Sequence, residues 1–151
     1  MCEAVIVPFK VEHAVELSKV VRDPVENSNP ITEATAKEYA TRGPSYSFFM
    51  GDKLVACGGI MIIWPGVGVA WLMTDPEAVL RCVKSFFMAA VRFTRESIQE
   101  HSLVRVQASC RADTPAFSRL LEHLGFKREA LMRKYGRDGS DQYLYSIVKG
   151  D

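Results

Sequence analysis

Four cysteines and three histidines are the side chains best suited to nucleophilic or metal chemistry, and their spacing argues against both. Cys2, Cys57, Cys82 and Cys110 form no Cys-x-x-Cys pair, and His13, His101 and His123 share no metal-ligand spacing with them. The pattern predicts a reducing compartment and no structural metal. Cys110 follows a strand-like run and could in principle act as a nucleophile, yet no His or acid is spaced to activate it, so it reads as a buried structural thiol. Charge is the other resource. Residues 101 to 137 carry eight basic side chains (Arg105, Arg111, Arg119, Lys127, Arg128, Arg133, Lys134, Arg137) against three acidic ones, while residues 1 to 40 carry seven acidic and four basic. No aromatic platform is interleaved with the basic residues, which speaks against nucleic acid. The total of nineteen Lys+Arg and eighteen Asp+Glu leaves +1, so no global field favours nucleic acid or an anionic membrane.

The elements that must position these groups fit one domain over residues 1 to 151, since 48% hydrophobic content at that length supports a sizeable core. The longest apolar run, Leu54 to Trp64, is short of the ~20 residues that span a bilayer, and Met1 to Lys10 lacks the pattern of a secretory signal. A soluble, cytoplasmic protein is expected. Ala4 to Val7 reads as a strand, and Val11, Ala14, Val15 and Val21 recur at helical spacing. A second helix is predicted from Asn29-Pro30 to near Gly43-Pro44.

Tyr46 to Met50, Lys53 to Trp64 and Val67 to Thr74 are strands joined by Gly51-Asp52 and Pro65-Gly66 turns, hence antiparallel neighbours. The second and third are apolar at nearly every position, so helices must cover both sheet faces. Val79 to Gln99 is predicted as one long helix, and Leu103 to Ser109 as a strand parallel to Val67 to Thr74 through a β-α-β crossover. In the next helix Phe117, Leu120, Leu121 and Leu124 form one stripe, with Thr114 as cap, Pro115 at the first position and Gly125 as stop. Phe126 to Tyr135 and Gln142 to Lys149 form a closing hairpin. The fold class is α/β (α+β): a mixed, mostly antiparallel sheet of about seven strands, in the order β-α-α-β-β-β-α-β-α-β-β.

That order, together with Leu120-Leu121-Glu122-His123-Leu124-Gly125-Phe126, resembles the GCN5-related N-acetyltransferase (GNAT) superfamily over essentially the whole chain. The resemblance implies acetyl-CoA as co-substrate and an amine of a small molecule or protein as acceptor. It also implies a bulge in the strand Val67 to Thr74 and a splay from its parallel neighbour, with pantetheine in the gap against the backbone of Leu72, Met73 and Thr74. The following loop then holds the pyrophosphate on Gly-x-Gly amides at a helix N-terminus. Aligned on Pro76-Glu77, this chain has Cys82 and Lys84 at the two glycine positions. Arg81, Cys82, Val83, Lys84 and Ser85 are the candidate phosphate residues, with Arg81 and Lys84 able to pair directly with phosphate. Alternatively the helix begins early, with Asp75 as cap and Pro76 first, which sets Asp75 and Glu77 against an anion and removes one amide donor.

The late-helix Tyr that protonates the departing thiolate in many relatives corresponds here to Leu121, and the Asn that often opens that helix is Thr114. Tyr135 and Tyr143 are the possible substitutes, both also ordinary sheet tyrosines. For the base, Glu33, Glu38 and Asp75 are conceivable, with solvated helix residues and a cap as the other readings. The catalytic residues are left unassigned. The first two helices border the acceptor site in this superfamily, so their acidic character suits a cationic acceptor.

A second resemblance, carried by Trp71-Leu72-Met73-Thr74, the Phe-rich long helix and Arg137 to Gly150, is to small tailed-phage proteins associated with head assembly. It implies a GNAT-like scaffold with a degraded loop, acting through a protein partner in the host cytoplasm.

Overall fold

A computed structural model describes residues 3–20 and 32–151. Seven strands form one sheet: β1 (Ala4–Pro8), β2 (Ser45–Met50), β3 (Lys53–Trp64), β4 (Val67–Thr74), β5 (Arg105–Arg111), β6 (Lys127–Met132) and β7 (Gln142–Val148). Their order is β1-β2-β3-β4-β5-β7-β6; β4 and β5 are parallel and every other pair is antiparallel. The strand β7 thus lies between β5 and its own hairpin partner.

Helices α1 (Val11–Ser18) and α2 (Glu33–Thr41) cover one face, where Phe9, Ala14, Leu17, Ala36, Leu54 and Met73 are buried together. Helix α2 begins at Glu33 behind Thr32, whose hydroxyl accepts from the Thr35 amide at 3.2 Å. The start expected at Asn29-Pro30 lies outside the described residues, as do Val21 and Cys2. Helices α3 (Pro76–Arg81), α4 (Val83–Glu100) and α5 (Pro115–His123) lie on the other face, over Ile60, Val106, Ala108, Phe126 and the fully buried Tyr145. A bulge at Val55, where Phe48 and Phe49 pair with Ala56 and Leu54, turns Leu54 and Cys57 to the first face and Val55 to the second.

Three expectations are corrected. The long helix is two: it breaks at Cys82, so the order has an extra α. Cys82 stands at φ −139°, ψ 33°, donates its thiol to the Ala78 carbonyl at 3.2 Å and its amide to the Val79 carbonyl, and accepts from the Phe86 amide to begin α4. The fifth strand, β5, runs two residues later than predicted. Leu103 belongs to the end of α4, where its amide reaches the Ile98 carbonyl, and Cys110 and Arg111 extend β5 by pairing with Tyr143 and Gln142. The bulge expected in β4 falls instead on β3, between Ile62 and Trp64.

Both long-helix ends on this face use the same closure. In α5 the Gly125 amide reaches the Glu122 carbonyl and the Phe126 amide the Leu121 carbonyl, with Gly125 at φ 100°. In α4 the equivalent bonds come from Ser102, at φ 50°, and Leu103. This is the Schellman motif, in which a left-handed residue satisfies two carbonyls that the helix leaves open. The expected cap at Thr114 is present by position only, because its hydroxyl contacts the Asp113 carboxylate.

Candidate functional site

Pairing between β4 and β5 stops at Val69 with Gln107. Beyond it the two strands stay paired on their outer edges, β4 to β3 as far as Thr74 and β5 to β7 as far as Arg111. Their facing edges therefore carry unmatched backbone donors and acceptors over Ala70 to Thr74 and Ala108 to Arg111, an opening an extended ligand can fill as an added strand would.

Arg111 fixes the far side of this gap. Its guanidinium is buried and takes Asp113 through two bonds, Nε at 2.9 Å and Nη2 at 2.8 Å, and Asp138 of the β6–β7 connection through Nη1. Its partners hold the end of β5, the start of α5 and the last hairpin in one arrangement. Arg105 plays the same part lower in the sheet, gripping Glu129 with bonds of 2.7 and 2.8 Å while Ser146 donates to Glu129 at 2.6 Å. Arg128 lies 3.7 Å from the Tyr143 ring centroid and donates to the Tyr145 hydroxyl, which donates in turn to Glu122. Arg105, Arg111 and Arg128 are thus engaged with side chains of the protein itself.

A cavity of about 290 Å³ runs from the gap beneath α4. It exists because small residues face one another: Ala56 and Gly58 on β3, Ala70 on β4 and Ala108 on β5 lie opposite Ala89 and Ala90 of α4. Phe86, Phe93, Phe117, Leu121 and Leu124 close it. Among the described lining residues the ionisable side chains are Tyr46, Cys57, Cys110 and Arg111. Burial pushes Cys57 up to about 11 and Cys110 upward as well, which disfavours in both the thiolate that a nucleophile needs.

The expected cofactor residues fall in two groups. Leu72 lines the cavity and is exposed, Thr74 ends β4, and the Met73 side chain turns into the α1–α2 core, leaving its backbone for the gap. Arg81, Val83, Lys84 and Ser85 are exposed and Cys82 half-buried, around the break between α3 and α4. The early helix start is realised: Asp75 caps α3, its Oδ1 accepting from the Ala78 amide at 3.3 Å, with Pro76 at the first position. Yet the break supplies a second helix N-terminus. No side chain caps α4 and its first turn holds no acidic residue, while Lys84 stands in that turn. The donor set suits a phosphate, at α4 rather than on a glycine loop.

The candidate acids and bases are not brought to the gap. Glu33 is exposed and paired with Lys37 at 3.5 Å, Glu38 is exposed, and the 3% exposed Asp75 is taken by its cap and by Lys53 at 3.4 Å. Tyr135 is exposed on the hairpin connection and Tyr143 lies under Arg128. Leu121 lines the cavity. Sequence reasoning missed the Arg111 clamp, whose only local sign is the Arg-x-Asp spacing to Asp113.

No family model and no curated protein matches the sequence. Solved structures do match. Ard1 from Thermoplasma volcanium superposes with a TM-score of 0.76 at 16% identity, covering 96% of this chain and 97% of that one. The ribosomal-protein-S18-alanine N-acetyltransferase from Escherichia coli gives 0.74 at 15%, covering 97% and 94%. A GNAT-family acetyltransferase from Bacillus anthracis gives 0.72 at 17%, covering 100% and 98%. The chain therefore has the GNAT fold, with its mixed seven-stranded sheet and splayed parallel pair. No helix among the described residues is long and apolar enough to cross a membrane.

Proposed function

We propose that the protein is an acetyl-CoA-dependent N-acetyltransferase that acts on an amine of a small molecule or protein. One observation carries this reading: the β4–β5 gap opens into a cavity that reaches Phe86 near the start of α4, a helix whose N-terminus is uncapped and has Lys84 in its first turn. The backbone of Leu72, Met73 and Thr74 would bond the extended pantetheine arm. The first-turn amides of Val83, Lys84 and Ser85, with the Lys84 and Arg81 side chains, would hold the phosphates. Bound acetyl-CoA supplies an activated acyl thioester. The amine nitrogen attacks the thioester carbon, the C–N bond forms, the C–S bond breaks, and the proton lost by nitrogen balances the thiol released.

Exposed Glu12 and Glu16 on α1 and Glu33 and Glu38 on α2 give the acceptor side a negative face, which favours a cationic acceptor. The test is a thermal-shift titration. Acetyl-CoA at ~100 times its dissociation constant adds ~2.7 kcal/mol of stability and raises the melting temperature by several degrees. Lys84→Glu removes that shift and leaves the unliganded fold intact. No shift at millimolar acetyl-CoA sinks the proposal.

One observation favours a second reading, a phage or prophage relative that works through protein contacts. Helix α3 occupies the phosphate loop, with Asp75 and Glu77 at its start and Leu80, 76% exposed, on its surface. That reading expects no acetyl-CoA shift and a stable complex with a partner protein.

A further inference from the structure

The cavity beneath α4 extends well past the gap. It continues under the helix to Tyr46 and Ile6 on the first two strands, and exposed side chains rim it at both ends: Leu72 and Ser109 at the gap, Ile6 and Tyr46 at the other. Its volume of about 290 Å³ is roughly ten times the ~30 Å³ share of one water in the liquid. Such a space holds water only where polar groups are free to bind it. Here several of the polar side chains in the lining already have partners within the protein. The Ser47 hydroxyl is bonded to His13 Nδ1 at 2.7 Å, the Thr94 hydroxyl donates to the Ala90 carbonyl at 2.8 Å, and Arg111 is held by Asp113 and Asp138. Most of the remaining lining is apolar, from alanine, glycine, isoleucine, leucine and phenylalanine, and it reaches from the gap to Ile6 and Tyr46.

We infer that this cavity binds a linear alkyl chain of roughly six to ten carbons, presented as the acyl group of the thioester. The thioester as source rests on the acyl-transfer reading above; the chain site rests on the cavity alone. A chain entering from the gap at Ala70 and Ala108 passes the Leu72 side chain, whose Cδ1 lies 3.2 Å from where a Cβ on Gly58 would stand, and continues beneath Ala89 and Ala90. The reaction is the same transfer, with a longer acyl group moved from sulfur to nitrogen.

Calorimetric titration of the full chain with acetyl-CoA, octanoyl-CoA and free octan-1-ol tests this. Octanoyl-CoA is expected to bind tighter than acetyl-CoA by about fourfold for each methylene buried, and by at least about 100-fold in total. Octan-1-ol is expected to bind and to compete with octanoyl-CoA. Filling the cavity with Ala90→Leu, or separately with Ala89→Leu should the first not fold, brings the octanoyl-to-acetyl ratio close to one. If neither thioester binds but octan-1-ol does, the acyl-transfer reading fails and the chain site stands with a free alkyl ligand. Equal binding of the two thioesters without octan-1-ol binding overturns the inference and spares the acyl-transfer reading. No binding by any of the three overturns both.

Discussion

Arginine does at single residues what a disulfide does in other small proteins: it joins segments far apart in sequence. Arg111 links Asp113 and Asp138, and Arg105 links Glu129 across Ser146. These carboxylates ionise more readily than usual. Glu129 falls from an ordinary 4.5 to about 2 through Arg105 and Ser146, Asp138 from 3.8 to about 2 through Ser140 and Arg111, and Asp113 is lowered by Arg111. A folded pKa below the unfolded one gives stability that is present above the unfolded value and lost as pH falls toward the folded one. Melting temperature should therefore drop steeply from about pH 5 to about pH 2. The variants Arg105→Gln and Arg111→Gln should melt lower at pH 7 and show a shallower acid limb; an acid limb of unchanged slope in the double variant refutes the account.

At the scale of elements, the two Schellman closures give a paired prediction. Gly125→Ala places a Cβ at φ 100° and should cost ~1–2 kcal/mol, whereas Ser102→Gly relieves φ 50° and should add up to ~1 kcal/mol, both read by urea denaturation. The opposite signs are the test, since loss of the Ser102 side chain could be expected to destabilise. The Gly125 closure was legible because glycine follows an apolar stripe, and the β2–β3–β4 meander because Gly51-Asp52 and Pro65-Gly66 punctuate it. The break at Cys82 was not. Ala78 to Ser85 contains no glycine or proline, and the interruption depends on a thiol-to-carbonyl bond and on α3 packing Ala78 into the core. Leu103 misled for a related reason: a residue buried as the closing contact of α4 has the same apolar signature as the first residue of a strand. The bulges at Val55 and Glu129 leave no local mark, because each is set by what the neighbouring strand requires.

At the scale of the whole molecule, the gap and the cavity supply position rather than proton transfer. No carboxylate or imidazole is among the described residues that line the cavity. If the acyl-transfer reading holds, kcat/KM should rise tenfold per pH unit and level off at the pKa of the acceptor amine, shifting with that amine across a series of acceptors. A break that stays fixed while the acceptor changes would reveal a titrating group of the protein instead. The scaffold was readable from the order of elements, while the cavity was not, because Ala56, Gly58, Ala70, Ala89, Ala90 and Ala108 are unremarkable until the fold sets them face to face.

The strand order carries a consequence for how the protein comes into being. Between β5 and β6 lies β7, the last of the described strands, so the edge of β5 that faces away from the gap gains its partner only when residues 142–148 have been made. Until then Val106, Ala108 and Cys110 have neither Tyr145 nor Ile147 beside them, and beyond Gln107 the strand that forms one wall of the gap is unpaired on both edges. The nascent chain is thus most vulnerable to mispairing between completion of α5 and completion of β7, and ligand competence should arise late in synthesis and abruptly.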